Sequence, residues 1–256
     1  MTVVNEQVLS SENDPAFPPR SQDQTLVLDS KVLAGVTPSV GLFSYETFKR
    51  LIDIVGSLVG IIILSPLMLI MAFLIKLDSK GPILADIPKR VGKDGKLFKM
   101  YKFRSMIVGA HELLHKDPQF KELLEKYQHN SYKLDRDEDP RITRAGKFIR
   151  KTSIDELPQF FNVLKGEMSL VGPRAYNPFE LEEQQEKYPS TKRFVKIILS
   201  AKPGLTGLWQ VSGRSEINFD KRVELDAKYV QRRSILYDLW LILNTIPAVL
   251  LGKGAV

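Results

Sequence analysis

Lys151-Thr-Ser-Ile-Asp-Glu-Leu-Pro-Gln-Phe-Phe-Asn-Val-Leu-Lys-Gly-Glu-Met-Ser-Leu-Val-Gly-Pro-Arg174 is the stretch on which the rest of the chain turns. Two adjacent carboxylates, Asp155 and Glu156, stand just before an apolar helix-like run, and a Gly-Pro-Arg turn closes it. An acidic side chain at a helix entrance feels the positive end of the peptide dipoles, which favours its ionised form. In that form it is equipped to attack an electrophile or to hold a metal. The same letters carry a purely structural reading. Ser153-x-x-Glu156 fits a capping box, although Pro158 then sits too deep in the helix. Moving the cap to Asp155 brings Pro158 into the first turn and makes Asp155 itself the capping side chain. Spacing alone leaves nucleophile and cap both open.

Outward from this stretch, composition narrows the class. A chain of 256 residues is long enough for one substantial core, so one catalytic domain with appended elements is the default. With no cysteine there is no disulfide framework and no thiolate metal site. The net charge of +7 suggests an anionic partner: a phosphate, a nucleotide, a nucleic acid or membrane headgroups.

Toward the N-terminus, Leu51 to Ile75 is nearly all apolar and is framed by Lys49-Arg50 and by Lys76 and Lys80. Its length suits a membrane helix, which needs about 20 apolar residues. A cleaved signal peptide does not fit, because a long polar tail precedes the run and no small-residue cleavage site follows. Ser65-Pro66 falls near the middle, where proline interrupts the hydrogen-bond ladder and serine can satisfy part of the freed backbone. Residues 1–44, rich in Ser, Asn, Asp, Gln and Pro, read as a disordered polar tail. Asp53 reads as structural, at headgroup depth where Lys or Arg can pair with it.

Gly92-Lys-Asp-Gly95 marks a β-hairpin whose second arm, Leu97 to Met106, puts Lys102 and Arg104 on one face if extended. Gly109 to Asn130 has helical spacing broken at Asp117-Pro118. His111 and His115 share a face of that helix without a third ligand nearby, so a metal site there is not expected. Pro178 to Lys187 reads as a charged surface helix, and Lys202-Pro-Gly-Leu-Thr-Gly207 as a loop. The loop leads to Trp209, placed either in the core or against a nucleobase. Ile235 to Leu251 is apolar again, but Asp238, Asn244 and Pro247 interrupt it. It therefore reads as a helix lying on the membrane or packed beside the first apolar run.

Several runs recur in a recognisable order. They are Tyr101-Lys-Phe-Arg-Ser-Met106, Asp139-Pro-Arg-Ile-Thr-Arg-Ala-Gly-Lys-Phe-Ile-Arg150, Thr152 to Arg174, Pro203-Gly-Leu-Thr-Gly-Leu-Trp-Gln-Val-Ser-Gly-Arg214 and Leu225-Asp-Ala-Lys-Tyr229. From about Tyr45 to the C-terminus this series resembles the bacterial sugar transferases, the monotopic phosphoglycosyl transferases, in a minimal form without an N-terminal membrane bundle. The resemblance implies an α+β, mostly helical, membrane-associated catalytic domain at 81–256. With it come a re-entrant membrane helix at 45–80 bent at Ser65 and Pro66, a small β-hairpin and interfacial amphipathic helices.

It also implies transfer of a sugar 1-phosphate from a UDP-sugar to polyprenyl phosphate, giving the lipid diphosphate-sugar and UMP through a covalent aspartyl intermediate. Asp155 and Glu156 become the catalytic pair and the carboxylates toward Mg2+. Lys102, Arg104, Arg150, Arg174 and Arg214 become the phosphate-binding side chains. The expected setting is the bacterial inner membrane, monotopic, with the catalytic domain facing the cytoplasm, no nucleic acid as partner, and a homodimer left open. One departure is Ala175, where the family commonly has a second proline after Gly-Pro-Arg, which leaves that turn less constrained. Two rival readings of the same residues are a membrane-bound, Mg2+-dependent lipid or nucleotide diphosphate hydrolase and a non-catalytic basic membrane-binding module.

Overall fold

A computed structural model describes residues 40–129, 134, 138–213 and 217–250, of which 40–44, 128–129 and 249–250 are described in backbone only. The reading of residues 1–39 as a polar tail and the placing of Arg214 lie outside the described residues. The described residues are mostly helical, with two small two-stranded sheets among them.

The apolar run forms α1, Val40–Asp78, which begins five residues before the expected boundary at 45. It is helical throughout, and Pro66 lies inside it rather than between two helices. Pro66 has no N–H for the carbonyl of Ile62, four residues earlier. The Ser65 hydroxyl donates to that carbonyl at 2.9 Å, so the Ser-Pro pair repairs the ladder it breaks. Both halves of α1 pack on the same body. On the N-terminal half, Arg50 donates to Val163 O and Leu164 O at the end of another helix, and Asp53 accepts from Ser169 Oγ and Leu170 N. On the C-terminal half, Met71 and Ile75 form a core cluster with Phe103 and Ile149.

The expected hairpin is present: β1, Arg90–Val91, pairs antiparallel with β2, Leu97–Phe98, with Arg90 opposite Phe98. Asp94 (φ 56°) and Gly95 (φ 76°) take left-handed conformations to close it. The next pieces also follow expectation, since α2, Ala110–Lys116, and α3, Lys121–His129, are separated at Asp117-Pro118. Asp117 accepts from Gln119 N there and caps the turn.

The helix α4, Arg144–Lys151, starts under a double cap. Thr143 Oγ1 accepts from Gly146 N, and Asp78, at the end of α1, accepts from Ala145 N. Beyond α4 lie α5, Gln159–Lys165, and β3, Ser169–Val171. They are followed by α6, Pro178–Lys187, α7, Lys192–Leu199, and β4, Gly204–Thr206. The short α8, Leu208–Val211, then α9, Phe219–Arg232, and α10, Ile235–Leu250, complete the chain.

Two sequence expectations need correcting. The helix α6 is not a surface helix on all sides: Glu180, Leu181 and Gln184 are buried, because Leu181 joins the cluster of Tyr176, Val195, Phe219 and Val223. The loop at 202–207 contains β4, which pairs in parallel with β3. Gly172 N donates to Thr206 O and Gly204 N to Pro173 O. A Cβ on Gly204 would stand 2.0 Å from Gly172 N, so the two turns meet backbone to backbone and only glycine fits.

The exposed apolar surface gathers on α1 and α10. Ile62 and Ile63 are 70% and 68% exposed, and Leu236, Trp240, Leu243 and Ile246 are open on α10. Asp238 does not face outward with them. It is buried and accepts from Tyr45 Oη, Lys49 Nζ and Tyr229 Oη, tying α10 to the start of α1.

Candidate active site

The dyad sits on a single 3-10 turn, Ile154–Glu156, entered through Ser153 in the left-handed region (φ 56°). Neither capping reading is realised. Ser153 makes no side-chain cap bond, and α5 begins from Pro158 without one, so Asp155 is not spent on backbone N–H groups. Its carboxylate turns to Lys102, whose Nζ lies 3.4 Å from Asp155 Oδ2 and 2.7 Å from Glu156 Oε1.

Lys102 is brought there by an extended segment held from two sides. Phe103 N donates to the Asp155 carbonyl. Asn162 of α5 accepts from Tyr101 N and donates to Lys99 O and Glu167 Oε2. The lysine and the two acids are therefore fixed relative to one another by main-chain bonds.

Burial raises the Asp155 carboxyl above the ordinary carboxylate range. Lys102 pulls it down, Glu156 raises it, and Arg150 lowers it again. Lysine is thus what favours the ionised form at a site whose dryness opposes it. Asp155 is buried, while the Glu156 side chain is 40% exposed.

Around the dyad lies a continuous cleft of about 2160 Å³. Its polar part is lined by Lys102, Arg150, Asp155, Glu156, Arg174 and Arg222, and its apolar part by residues of α1 and α10 such as Val55, Leu67, Leu239 and Ile246. Pockets for one small molecule run to about 300–1,000 Å³, so this cleft has room for two substrates, one polar and one apolar.

The structure therefore brings Lys102, Arg150, Asp155, Glu156 and Arg174 to one cleft. Arg104 also borders it, but its guanidinium faces the end of α1. Nε donates to Pro82 O, and the other two nitrogens donate to Ser79 Oγ and Ser79 O. Arg174 is positioned by α9, since its backbone N–H donates to Asp226 Oδ2 at 2.9 Å. Ala175, where a proline was expected, is buried against Phe98, Met100, Val163 and Met168, so packing constrains the turn in place of a ring. Trp209 is buried, and the guanidinium carbons of Arg174 and Arg222 lie 5.0 and 5.2 Å from its ring centre.

Compared with known proteins, residues 44–252 match the bacterial sugar transferase family. The chain belongs to that family. Among bacterial sugar transferases it is 45% identical over 223 residues to the galactosyl transferase CpsE of Streptococcus agalactiae, covering 86% of this chain and 46% of that protein. It is 42% identical over 249 residues to the undecaprenyl-phosphate galactose phosphotransferase of Salmonella typhimurium, covering 94% and 49%. It is 38% identical over 207 residues to the exopolysaccharide production protein ExoY of Rhizobium meliloti, covering 81% and 87%. The chain spans about half the length of the first two and most of the third.

Sequence reasoning did not single out Arg90, Glu180 or Arg222 of this bacterial sugar transferase. Arg222 lies four residues before Asp226, inside no motif of obvious chemistry, and Glu180 reads as one of several helix acids. A signal was present only in pattern. Arg222 and Asp226 are the charged members of a buried helical face with Phe219 and Val223, at spacings of three and four.

Proposed function

We propose that this chain transfers a sugar 1-phosphate from a UDP-sugar to a polyprenyl phosphate in the bacterial inner membrane, with its catalytic face on the cytoplasmic side. The observation that carries the proposal is Asp155 on a strained turn, buried, uncapped and opposed by Lys102, in a cleft that is basic at one end and apolar at the other. Relatives of similar sequence are named for this chemistry.

Asp155 Oδ attacks the phosphorus bearing the sugar, and the bond to the bridging oxygen breaks. The nucleoside monophosphate leaves with the electron pair. The acceptor's phosphate oxygen then attacks the same phosphorus and releases the carboxylate. Two displacements replace one direct encounter between polyanions. Lys102 and Arg150 hold the phosphate that is attacked and offset its charge. Among the described residues no group of three metal-type side chains gathers, so any ion relies on substrate oxygens. A pair of carboxylates fits Mg2+ on those terms, with Asp155 and Glu156 as its protein ligands. When bound, it supplies neutralisation of the phosphate charge.

The bilayer arrangement that fits is re-entrant. A spanning helix needs about 20 residues clear of the soluble body. Gly56 lies against Leu170, Gly60 against Phe160, and Leu67 packs beside Phe103 and Ile149, so one face of α1 rests on the body on both sides of Ser65-Pro66. The other face, from Leu51 to Leu77, is exposed apolar surface suited to lipid. Purified chain in lipid nanodiscs, given radiolabelled UDP-sugar and polyprenyl phosphate, should yield lipid-linked sugar diphosphate and UMP. Release of free sugar phosphate instead would favour hydrolysis and sink the transfer reading.

A further inference from the structure

A second concentration of charge lies in the same cleft, and of its members only Arg174 was expected to bind phosphate. Arg90 comes from β1, Arg174 from the Gly-Pro-Arg turn and Arg222 from α9. Arg222 Nη1 is 3.9 Å from Glu180 Oε1, and its Nη2 donates to Ile217 O. Asp226, the other acid of the group, holds the backbone of Arg174.

Arg222 is buried and Arg90 and Arg174 are half-buried, and of the two buried acids beside them burial pushes Asp226 up to about 7, so positive charge is in excess here near neutral pH. The group also holds unspent hydrogen-bonding capacity. Four donors, Nε of Arg90, Nε of Arg174, Nε of Arg222 and Trp209 Nε1, are buried without a partner among the described residues. The likewise unpartnered acceptors Asn177 Oδ1 and Asp226 Oδ1 call for a hydroxyl or a water rather than an anion. Buried polar atoms are ordinarily paired, and an excess buried cation is costly unless an anion completes it. Guanidinium forks are suited to phosphate oxygens.

The cluster is distinct from the basic residues at the nucleophile and adjoins them. Lys102 and Arg150 act on Asp155. Arg90 lines the same cleft, where its charge is felt by Arg174, Glu180 and Glu156. A donor diphosphate has two phosphates to place, and the cleft has two adjacent basic groups.

We infer that Arg90, Arg174 and Arg222, with Trp209 behind them, form the subsite for the phosphate that leaves with the nucleoside. This rests on the transfer reading above. As the bridging P–O bond breaks, its electron pair passes to the leaving phosphate. The negative charge grows where the three guanidiniums converge, and the nucleoside monophosphate stays bound there until released.

The test is UMP binding to the full chain in nanodiscs by calorimetry, in an Asp155→Asn background where no chemistry can occur. Adding Arg90→Gln or Arg222→Gln should each weaken UMP by about 10-fold or more. Adding Lys102→Gln should change it less than about 3-fold, because that lysine serves the other phosphate. Arg174→Gln, which leaves the backbone bond to Asp226 intact, gives the same reading if Arg222→Gln fails to fold. UMP that does not bind the Asp155→Asn protein, or that binds the folded arginine variants as tightly as their parent, overturns the assignment. Formation of lipid-linked product by the wild-type chain reads the transfer proposal separately, so the two can fail independently.

Discussion

Lys49 meets Asp238 at 2.8 Å where α1 joins α10, and Lys102 meets Asp155 at 3.4 Å in the cleft. The residue types are the same, yet their surroundings differ in how much of the carboxylate is already used. Asp238 accepts from a lysine and two tyrosine hydroxyls, of which Lys49 and Tyr229 are buried and Tyr45 half-buried. Asp155 accepts only a long bond from Lys102 among the described residues, on a turn whose backbone is held from both sides. Saturation makes the first an anchor. Unspent lone pairs on a rigid mount leave the second able to attack.

The sharpest break of this comparison is Asp155→Asn. Turnover should fall by at least about 10³-fold, as expected when a group that acts covalently is removed. Because folding raises the Asp155 pKa, its ionised form costs stability above the unfolded pKa, and that cost disappears as pH falls below it. Thermal melting near neutral pH should therefore not drop in Asp155→Asn, whereas a large drop would mean that Asp155 is an anchor after all.

Asp238→Ala should do the reverse. It leaves the buried Lys49 ammonium without its carboxylate and only Tyr229 Oη to donate to, and losing one partner of a buried ion pair costs about 3–5 kcal/mol. Melting in detergent should fall steeply while the turnover of the molecules that remain folded stays close to wild type.

The smallest effect, and the most diagnostic, is that of Lys102→Met. Turnover should fall by roughly 10–100-fold, the scale of losing one charged stabiliser of a phosphoryl transition state. With Lys102 gone, burial and Glu156 raise the Asp155 pKa further, so the acid limb of the pH–rate profile should move to higher pH. An unmoved limb would mean that Lys102 does not govern the carboxylate.

What could be read from the letters alone was local. The apolar length of α1, the turn at Gly92 to Gly95, the break at Asp117-Pro118 and the repair of Pro66 by Ser65 all involve neighbours within a few residues. The dyad was legible too, but as a choice between cap and nucleophile, because the partner that the Asp155 carboxylate takes in place of backbone N–H groups, Lys102, is more than 50 residues away. The parallel pairing of β3 and β4 left no local mark, since its three-residue strands are short and the hydrogen bonds run between distant loops. Arg104 looked like a partner of Lys102 by alternation, yet Ser79 and Pro82 engage it, a contact that spacing along one strand cannot reveal. Arg90, Glu180 and Arg222 become a group only when three separate elements meet.

Asp78, the last residue of α1, caps the helix that leads into the turn of Asp155 and Glu156, while Met71 and Ile75 fill the core behind it. The long apolar helix and the body that carries the candidate site therefore share one interior. Truncation ahead of Gly81 would strip away a helix cap and half a hydrophobic cluster, so trimming cannot yield a free-standing soluble catalyst. Nor could an unrelated apolar segment be grafted in its place.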